Sequence, residues 1–371
     1  MSKMRKTTKT VGAILIILVA IRLALPYFVT NYVNKVLADI EGYTGSIEDV
    51  DLALYRGAYQ IHGLELFSVE KDIKTPFVAI KTIDISVEWK ALFDGAIVGE
   101  VILEEANLNF ATSADKGEVQ TGEENDWTKT ITELLPLKIN RFEIKNSRID
   151  YIDEHSSPKV DLYFDDFDAL ATNLSNAKNN SEDLPSSITV RSSTIGNGEF
   201  NVDMEIDILK KVPDFDMNMS IENMNIPALN NFLKAYGNVD AESGQFNFYT
   251  EIALKDKNIE GYFKPLTKEL KILDWKEEEE KFWGKLFEAV AGLAAEILEN
   301  QPKDQVGTKI PISGSIENTA IGTWKAIFGV LKNAYLNPLQ KEIDKTVKIQ
   351  NGKVVDKDKN EQEDDKFLGI F

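Results

Sequence analysis

Few side chains in this chain have the type and spacing that chemistry requires. Among its 371 residues are two histidines and no cysteine. That removes thiolate nucleophiles, disulfides, Cys-based zinc sites and most Ser-His or Cys-His relays. His62 lies in Ile61-His62-Gly63 and His155 in Asp153-Glu154-His155-Ser156-Ser157-Pro158, and both contexts read as exposed turns. Asp165, Asp166 and Asp168 form an acidic cluster of the hard-oxygen kind that could take a cation such as calcium. Neither EF-hand spacing nor its glycine accompanies them, and charge runs are usually solvated faces. Glu277–Glu280 reads as favourable negative charge at a helix N-terminus. The P-loop, a G-x-G-x-x-G after a strand and the G-x-S-x-G elbow are absent. No catalytic residue, metal ligand or cofactor can be assigned, and the chain is not read as an enzyme.

What the sequence does carry is a pattern of elements. Phe200, Val202, Met204, Ile206 and Ile208 alternate with Asn201, Asp203, Glu205 and Asp207. A strand sends successive side chains to opposite faces, so this segment has one apolar face and one acidic, wet face. The pattern recurs at Ile83/Ile85/Val87, at Phe215/Met217/Met219/Ile221 and at Phe246/Phe248/Thr250/Ile252/Leu254. Similar alternation runs from Val50 through Phe164, which predicts a long antiparallel sheet with one face hidden from water. A dozen strands at ~4.8 Å spacing would extend about 60 Å. Helical spacing is predicted at Tyr27–Ile40, in a short insert at Pro227–Tyr236, and in two amphipathic helices, from Asp274 to Leu298 and over Trp324–Leu336. Residues 346–371 are rich in Lys, Asp, Glu and Gln and read as a charged, disordered tail.

Charge is unevenly placed. The net value is -19, while residues 1–30 hold Lys3, Arg5, Lys6, Lys9 and Arg22 and no acid, so the remainder carries -19 - 5 = -24. Such an acidic body argues against nucleic acid and against adsorption to anionic lipid surfaces. Directly after the basic cluster, Val11–Ile21 is an uninterrupted apolar run, and Val11 to Val29 spans 19 residues. As a helix that is roughly 28 Å, close to the ~30 Å of a bilayer core. Arg22 would snorkel at its outer end, with Tyr27 as an interfacial anchor. A cleaved signal peptide is the alternative, but no convincing small-residue pair precedes a cleavage site. The expected division is therefore a signal anchor at 1–30, a β domain at 31–345 and the tail at 346–371. The preceding basic residues favour an N-in orientation.

Two segments carry a family resemblance: Lys35–Leu66 (KVLADIEGYTGSIEDVDLALYRGAYQIHGLEL) and Ile83–Leu103 (IDISVEWKALFDGAIVGEVIL). They resemble the AsmA-like envelope proteins, and more specifically the domain-of-unknown-function family 748. The matching positions are Leu52, Tyr55, Gly57, Ala58, Tyr59, Ile61, Gly63 and Leu64, then Trp89, Leu92, Gly95 and Gly99. Asn225–Tyr236, Ser243-Gly244, Gly261–Pro265 and Ile310–Glu317 resemble the second half of that group. The resemblance implies a mainly β fold with flanking helices. An N-terminal transmembrane helix would be followed by a long curved antiparallel β-groove and two C-terminal amphipathic helices. It also implies a single-pass protein of the bacterial inner membrane, with the N-terminus cytoplasmic and the main domain in the periplasm. Related proteins are implicated in phospholipid movement or outer-membrane biogenesis. This chain is shorter than the long members, so a complete bridge across the envelope is not implied.

Three functional readings remain open at this level. In the first, the apolar face binds phospholipid or another acyl lipid. Its groove candidates are Ile83, Ile85, Val87, Phe200, Val202, Met204, Ile206, Ile208, Phe215, Met217, Met219, Ile221, Phe246, Phe248, Ile252 and Leu254. In the second, that face is an ordinary core and the protein is a structural or assembly factor that binds other envelope proteins. The third, a hydrolase of envelope polymers, has no residues to support it.

Overall fold

The computed structural model describes residues 22, 24–53, 57–69, 73–87, 98–113, 120, 138–174, 183–208, 210, 212–272, 305–307, 309–315, 347–350 and 353–356. It divides into two compact units, Met1–Ile139 and Asn140–Phe371. Both are built mainly of antiparallel strands with few helices among the described residues.

Unit 1 begins with helix α1 (24–38). Strands β1 (Tyr43–Ser46), β2 (Asp49–Ala53), β3 (Ala58–Ser68), β4 (Val78–Val87) and β5 (Val98–Thr112) follow. The ladder runs β1-β3-β4-β5, and β1 and β2 share one edge of β3. Apolar residues fall into register across it, Leu52 with Tyr59, Ile85 and Val101, and Val50 with Ile61, Ile83 and Leu103. Helix α1 is joined firmly to this sheet. Leu37 is buried, as is Ile40 just beyond the helix. The Asn34 side chain accepts the Ile47 N–H at 2.7 Å and donates to its carbonyl at 3.3 Å. Arg22 Nη1 donates to the Leu52 carbonyl at 3.2 Å. His62, expected in a turn, lies inside β3 opposite Asp49 and Thr82. The strand continues through Gly63 at φ 63°, a left-handed conformation that glycine adopts without strain.

Unit 2 takes in β6 (Lys138–Asp153) from Asn140 onward, then β7 (Val160–Thr172), β8 (Ser186–Thr194), β9 (Glu199–Asp207) and β10 (Asp214–Asn225). A 3-10 turn (Ile226–Leu229) leads into α2 (Asn230–Gly237), on the expected insert. Strands β11 (Ala241–Lys255), β12 (Asn258–Ile272), β13 (Gln305–Gly307) and β14 (Ile310–Ser315) complete the ladder. From β6 to β13 each strand pairs with the next in sequence, and β14 also pairs with β12. Asp256 and Lys257, at φ 46° and 71°, make the two-residue turn between β11 and β12. Two successive positive φ angles match the right-handed twist of the flanking strands. Helix α2 stops at Asn238, whose φ of 53° lets its N–H return to the Lys234 carbonyl while Val239 reaches that of Leu233.

Several expectations are corrected or fall outside the described residues. The stretch expected to be a disordered tail contains a hairpin, β15 (Val347–Gln350) with β16 (Lys353–Asp356), which lies against β11 and β12. Val347 and Ile349 before it and Val354 and Val355 after it flank Asn351-Gly352, a dipeptide favourable to such a pairing, and this outweighs the charged composition. Among the described residues no helix is long and apolar enough to cross a membrane. Residues 11–21 of the expected anchor lie outside them, as do the expected helices from Asp274 to Leu298 and at 324–336.

Ion pairing secures the β9–β10 end of unit 2. The Asp214 side chain is 1% exposed and meets Lys210, lies 3.1 Å from Lys255 Nζ, and accepts the Asp256 N–H at 2.9 Å. Burial alone would raise its carboxyl, but the hydrogen bonds from Lys210, Asp256 and Lys255 outweigh burial and hold it below the usual carboxylate range. A lowered folded-state value stabilises above the unfolded-state pKa and loses that stabilisation as pH falls through the folded one. Asp214→Asn should therefore cost about 2–4 kcal/mol at neutral pH. Urea denaturation at several pH values should show wild type and variant converging in acid.

Candidate functional site

The candidate site is the apolar face of unit 2, which the ladder assembles row by row. Ile188, Met204, Met217, Ile252 and Gly261 form one row across β8 to β12. Val190, Val202, Met219, Thr250 and Phe263 form the next, followed by Ser192, Phe200, Ile221, Phe248 and Pro265. Ser186, Ile206, Phe215, Leu254 and Ile259 make a fourth. Cross-strand partners point to the same side of a sheet, so these rows are one continuous face. It extends onto β6 and β7 through Phe142 opposite Ala171 and Ile144 opposite Ala169.

Burial along this face is graded. On β10–β12, Phe215, Phe246, Phe248, Ile252, Leu254 and Ile259 are fully buried, as is Ile206 on β9. On β6–β9, Phe142, Ile144, Phe164, Ile188, Val190, Phe200 and Met204 are only half-buried. Met217, Met219 and Ile221 on β10 are likewise half-buried against the core. Thus the face is closed core on one side and partly open on the other.

The groove candidates distribute accordingly. Phe215, Phe246, Phe248, Ile252, Leu254 and Ile206 belong to the closed core, and Val202 is nearly as buried. Phe200, Met204, Met217, Met219 and Ile221 retain accessible surface. Ile208 is not on the face, because β9 ends at Asp207 and Ile208 is 41% exposed in the following turn. Ile83, Ile85 and Val87 pack in unit 1, where Ile85 is fully buried. The β6–β8 positions on the open side, such as Ile144, Ile188 and Val190, were legible as strand residues. Nothing in their spacing marked them as more exposed than the rest.

One end of the face is closed by the segment between β10 and β11. Ile226 and Leu229 of the 3-10 turn and Leu233 of α2 are buried in the same cluster as Phe246 and Met224. The turn packs on β11 and α2 on β7. Asn230 exchanges two 2.9 Å hydrogen bonds with the backbone of Ala241. At the far end Tyr236 donates to Asp153 of β6, and its hydroxyl lies 3.2 Å from that of Tyr151. Asp153 also accepts the N–H groups of His155 and Ser156. Burial, then the Asp153 bond and the Tyr151 contact, push the Tyr236 phenol far above its ordinary value. A β8–β9 turn residue, Gly196 at φ 78°, lets that turn dock here. An added Cβ would meet the Asn225 carbonyl at 2.6 Å.

The opposite face is polar and paired over β6–β10. Arg191 Nη2 donates to both carboxylate oxygens of Asp203, at 2.8 and 3.0 Å. Arg148 Nε likewise reaches both oxygens of Asp150, and its guanidinium lies 4.0 Å over the Tyr163 ring. Burial is the largest influence on the Asp150 carboxyl and leaves it raised despite Arg148. The acidic cluster of the sequence is dispersed here. Asp165 faces Arg148 at 3.4 Å, Asp168 accepts the Asn146 N–H at 2.9 Å, and Asp166 (φ 47°) occupies a bulge. A depression of about 380 Å³ is lined mainly by residues of this polar face, Glu143, Lys145, Asp168, Leu170, Thr189 and Arg191, together with Ile144, Asn146 and Ala169. Its charges are mutually satisfied, Lys145 by Glu143 at 3.5 Å and Arg191 by Asp203, so no poised acid–base pair converges there. Over β11 and β12 even this face is covered. Glu251 and Lys264 are 0% exposed, and the Tyr262 hydroxyl donates to Glu251 Oε1 at 2.9 Å.

No protein-family model matches the chain, and no curated protein matches it. Tyr236→Phe should leave Asp153 short of a donor and cost about 1–3 kcal/mol. Hydrogen exchange should accelerate in α2 more than in β11; equal rates in the two proteins would mean that the hydroxyl does not hold the helix.

Proposed function

We propose that the protein binds lipid acyl chains along the half-buried part of the unit 2 apolar face and takes part in phospholipid transport or outer-membrane biogenesis. In this reading it is anchored in a bacterial inner membrane by residues 11–29, with both units in the periplasm. The observation that carries the reading is the graded burial of one apolar face. Methionine, isoleucine and phenylalanine side chains of β6–β10 keep surface accessible, whereas their row partners on β11 and β12 are closed core. The flexible Met204, Met217 and Met219 thioethers adapt to irregular apolar partners. The resemblance to AsmA-like proteins, carried by segments in both halves of the chain, supports the anchoring and the compartment. No covalent step is required. Acyl methylenes leave water against the face, and headgroups stay in water at its open edge. At ~0.8 kcal/mol per buried CH₂, a 16-carbon chain would gain on the order of 10 kcal/mol before entropy costs.

The closed core of β10–β12 favours the second reading, an assembly factor for envelope proteins, because a face filled by its own side chains needs no lipid. Photo-crosslinking in cells separates the two. A benzophenone amino acid replacing Met204 or Ile188 in the full chain should give a lipid adduct, and one replacing Asp203 on the wet face should not. Val190→Asp should abolish the adduct while the protein stays folded. A protein adduct at Met204 would make the assembly factor the better account, and a folded protein without any adduct would return the whole face to ordinary core.

A further inference from the structure

Helix α1 presents large aromatic side chains to solvent beside the apolar run expected to enter a membrane. Tyr27, Phe28 and Tyr32 are 69%, 65% and 59% exposed, the most exposed aromatic residues among those described. The Tyr27 and Phe28 rings meet edge to face at 5.9 Å. Phe28 and Tyr32 are one helical turn apart and share a side of the helix. The adjoining stripe, with Leu25, Val29 and Val33 half-buried and Leu37 buried, is the one that unit 1 packs on, and the aromatics stand beside it on the side left open. Beyond Tyr32 the exposed side becomes polar, with Lys35 and Asp39.

We infer that Tyr27, Phe28 and Tyr32 form a collar seated in the headgroup layer of a phospholipid bilayer, and that it fixes unit 1 directly on the membrane surface. The inference rests on the anchoring reading above and adds to it a surface, a depth and a rigid connection. Continuity of the chain names the occupant: the exposed aromatics begin a few residues after the apolar stretch Val11–Ile21 ends. Aromatic residues with one apolar and one polar end concentrate at that boundary. At ~1.5 Å per residue, Tyr27 to Tyr32 cover about 8 Å of helix, comparable to the ~5–8 Å of one interfacial layer. The connection is firm because Arg22, just before α1, bonds the Leu52 carbonyl and Asn34, within α1, bonds Ile47, with Leu37 of the helix and Ile40 beyond it buried. An anchor held this way places β1–β3 at the bilayer rather than letting the unit swing on a linker.

The absence of cysteine makes the test direct. Single cysteines replacing Phe28, Tyr32, Thr44 or Glu65 in the full chain are labelled with an environment-sensitive fluorophore. The proteins are then reconstituted into phosphatidylethanolamine–phosphatidylglycerol vesicles. Labels at 28 and 32 should be quenched several-fold by nitroxide lipids carrying the spin label near the headgroup, and labels at 44 and 65 by aqueous iodide instead. Flotation with the vesicles is scored on the same samples. Protein that does not float would sink the anchoring reading itself. Protein that floats while positions 28 and 32 are as open to iodide as position 44 would overturn the collar alone. A signal at 28 and 32 that depends on protein-to-lipid ratio would assign the aromatics to a second copy of the chain and overturn it too.

Discussion

Everything in unit 2 depends on the register of one antiparallel ladder. Because side chains alternate along a strand, a slip of one residue anywhere between β8 and β12 would exchange an apolar row for an acidic one. Met204 would then share a face with Asp216 or Asn218 instead of Met217. The hydrophobic pattern and the pairing therefore enforce each other. The apolar face exists as a surface only because five strands agree on it. The acidic excess is displaced to the other side by the same geometry, where Asp203, Glu205 and Asp216 lie. Carboxylates adjacent in register repel, and Arg191 and Arg148 are placed where they relieve that repulsion.

The two ends of this ladder are held by different chemistry. At the β9–β10 end, a buried carboxylate gathers two lysines and a backbone N–H from a neighbouring hairpin. At the other, a short helix spans from β11 to β7 and β6 and is pinned by an amide and a phenol. Eight residues of isolated α2 would not hold together in water, so its existence is a consequence of Leu229, Leu233 and Ile226 being buried under it. Across the strands, from β12 toward β6, the face changes from closed to half-open.

Local pattern was legible in the sequence, and whatever depends on distant partners was not. The alternation of Phe200–Asp207, the insert around Pro227–Tyr236 and the helix off the N-terminal stretch all stand as expected. Ile208 continues the apolar pattern but not the strand, because the chain must turn there for Lys210 to reach Asp214. Glu251 and Lys264 fit the wet half of an alternating strand, and only tertiary cover makes them interior. Tyr236 and Asp153 are 83 residues apart, and nothing local in either foretells their bond. The hairpin β15–β16 is the opposite case. Its Asn-Gly signal was present, and a tail composition rich in charge concealed it. The half-open side of the candidate site, centred on Ile188, Val190 and Ile144, was the hardest to see, since exposure is a property of what is not above a residue.

In the run from β6 to β12, each strand's partner in space is also its neighbour in sequence. A meander of this kind has modular length. Adding or removing one hairpin lengthens or shortens the sheet by about two strand spacings, ~10 Å, without rethreading any other connection. The apolar face would grow or shrink by the same step with its rows still aligned. Reach is thus an adjustable quantity in this architecture, set by counting hairpins, while the terminal fastenings and the chemistry of the face stay as they are.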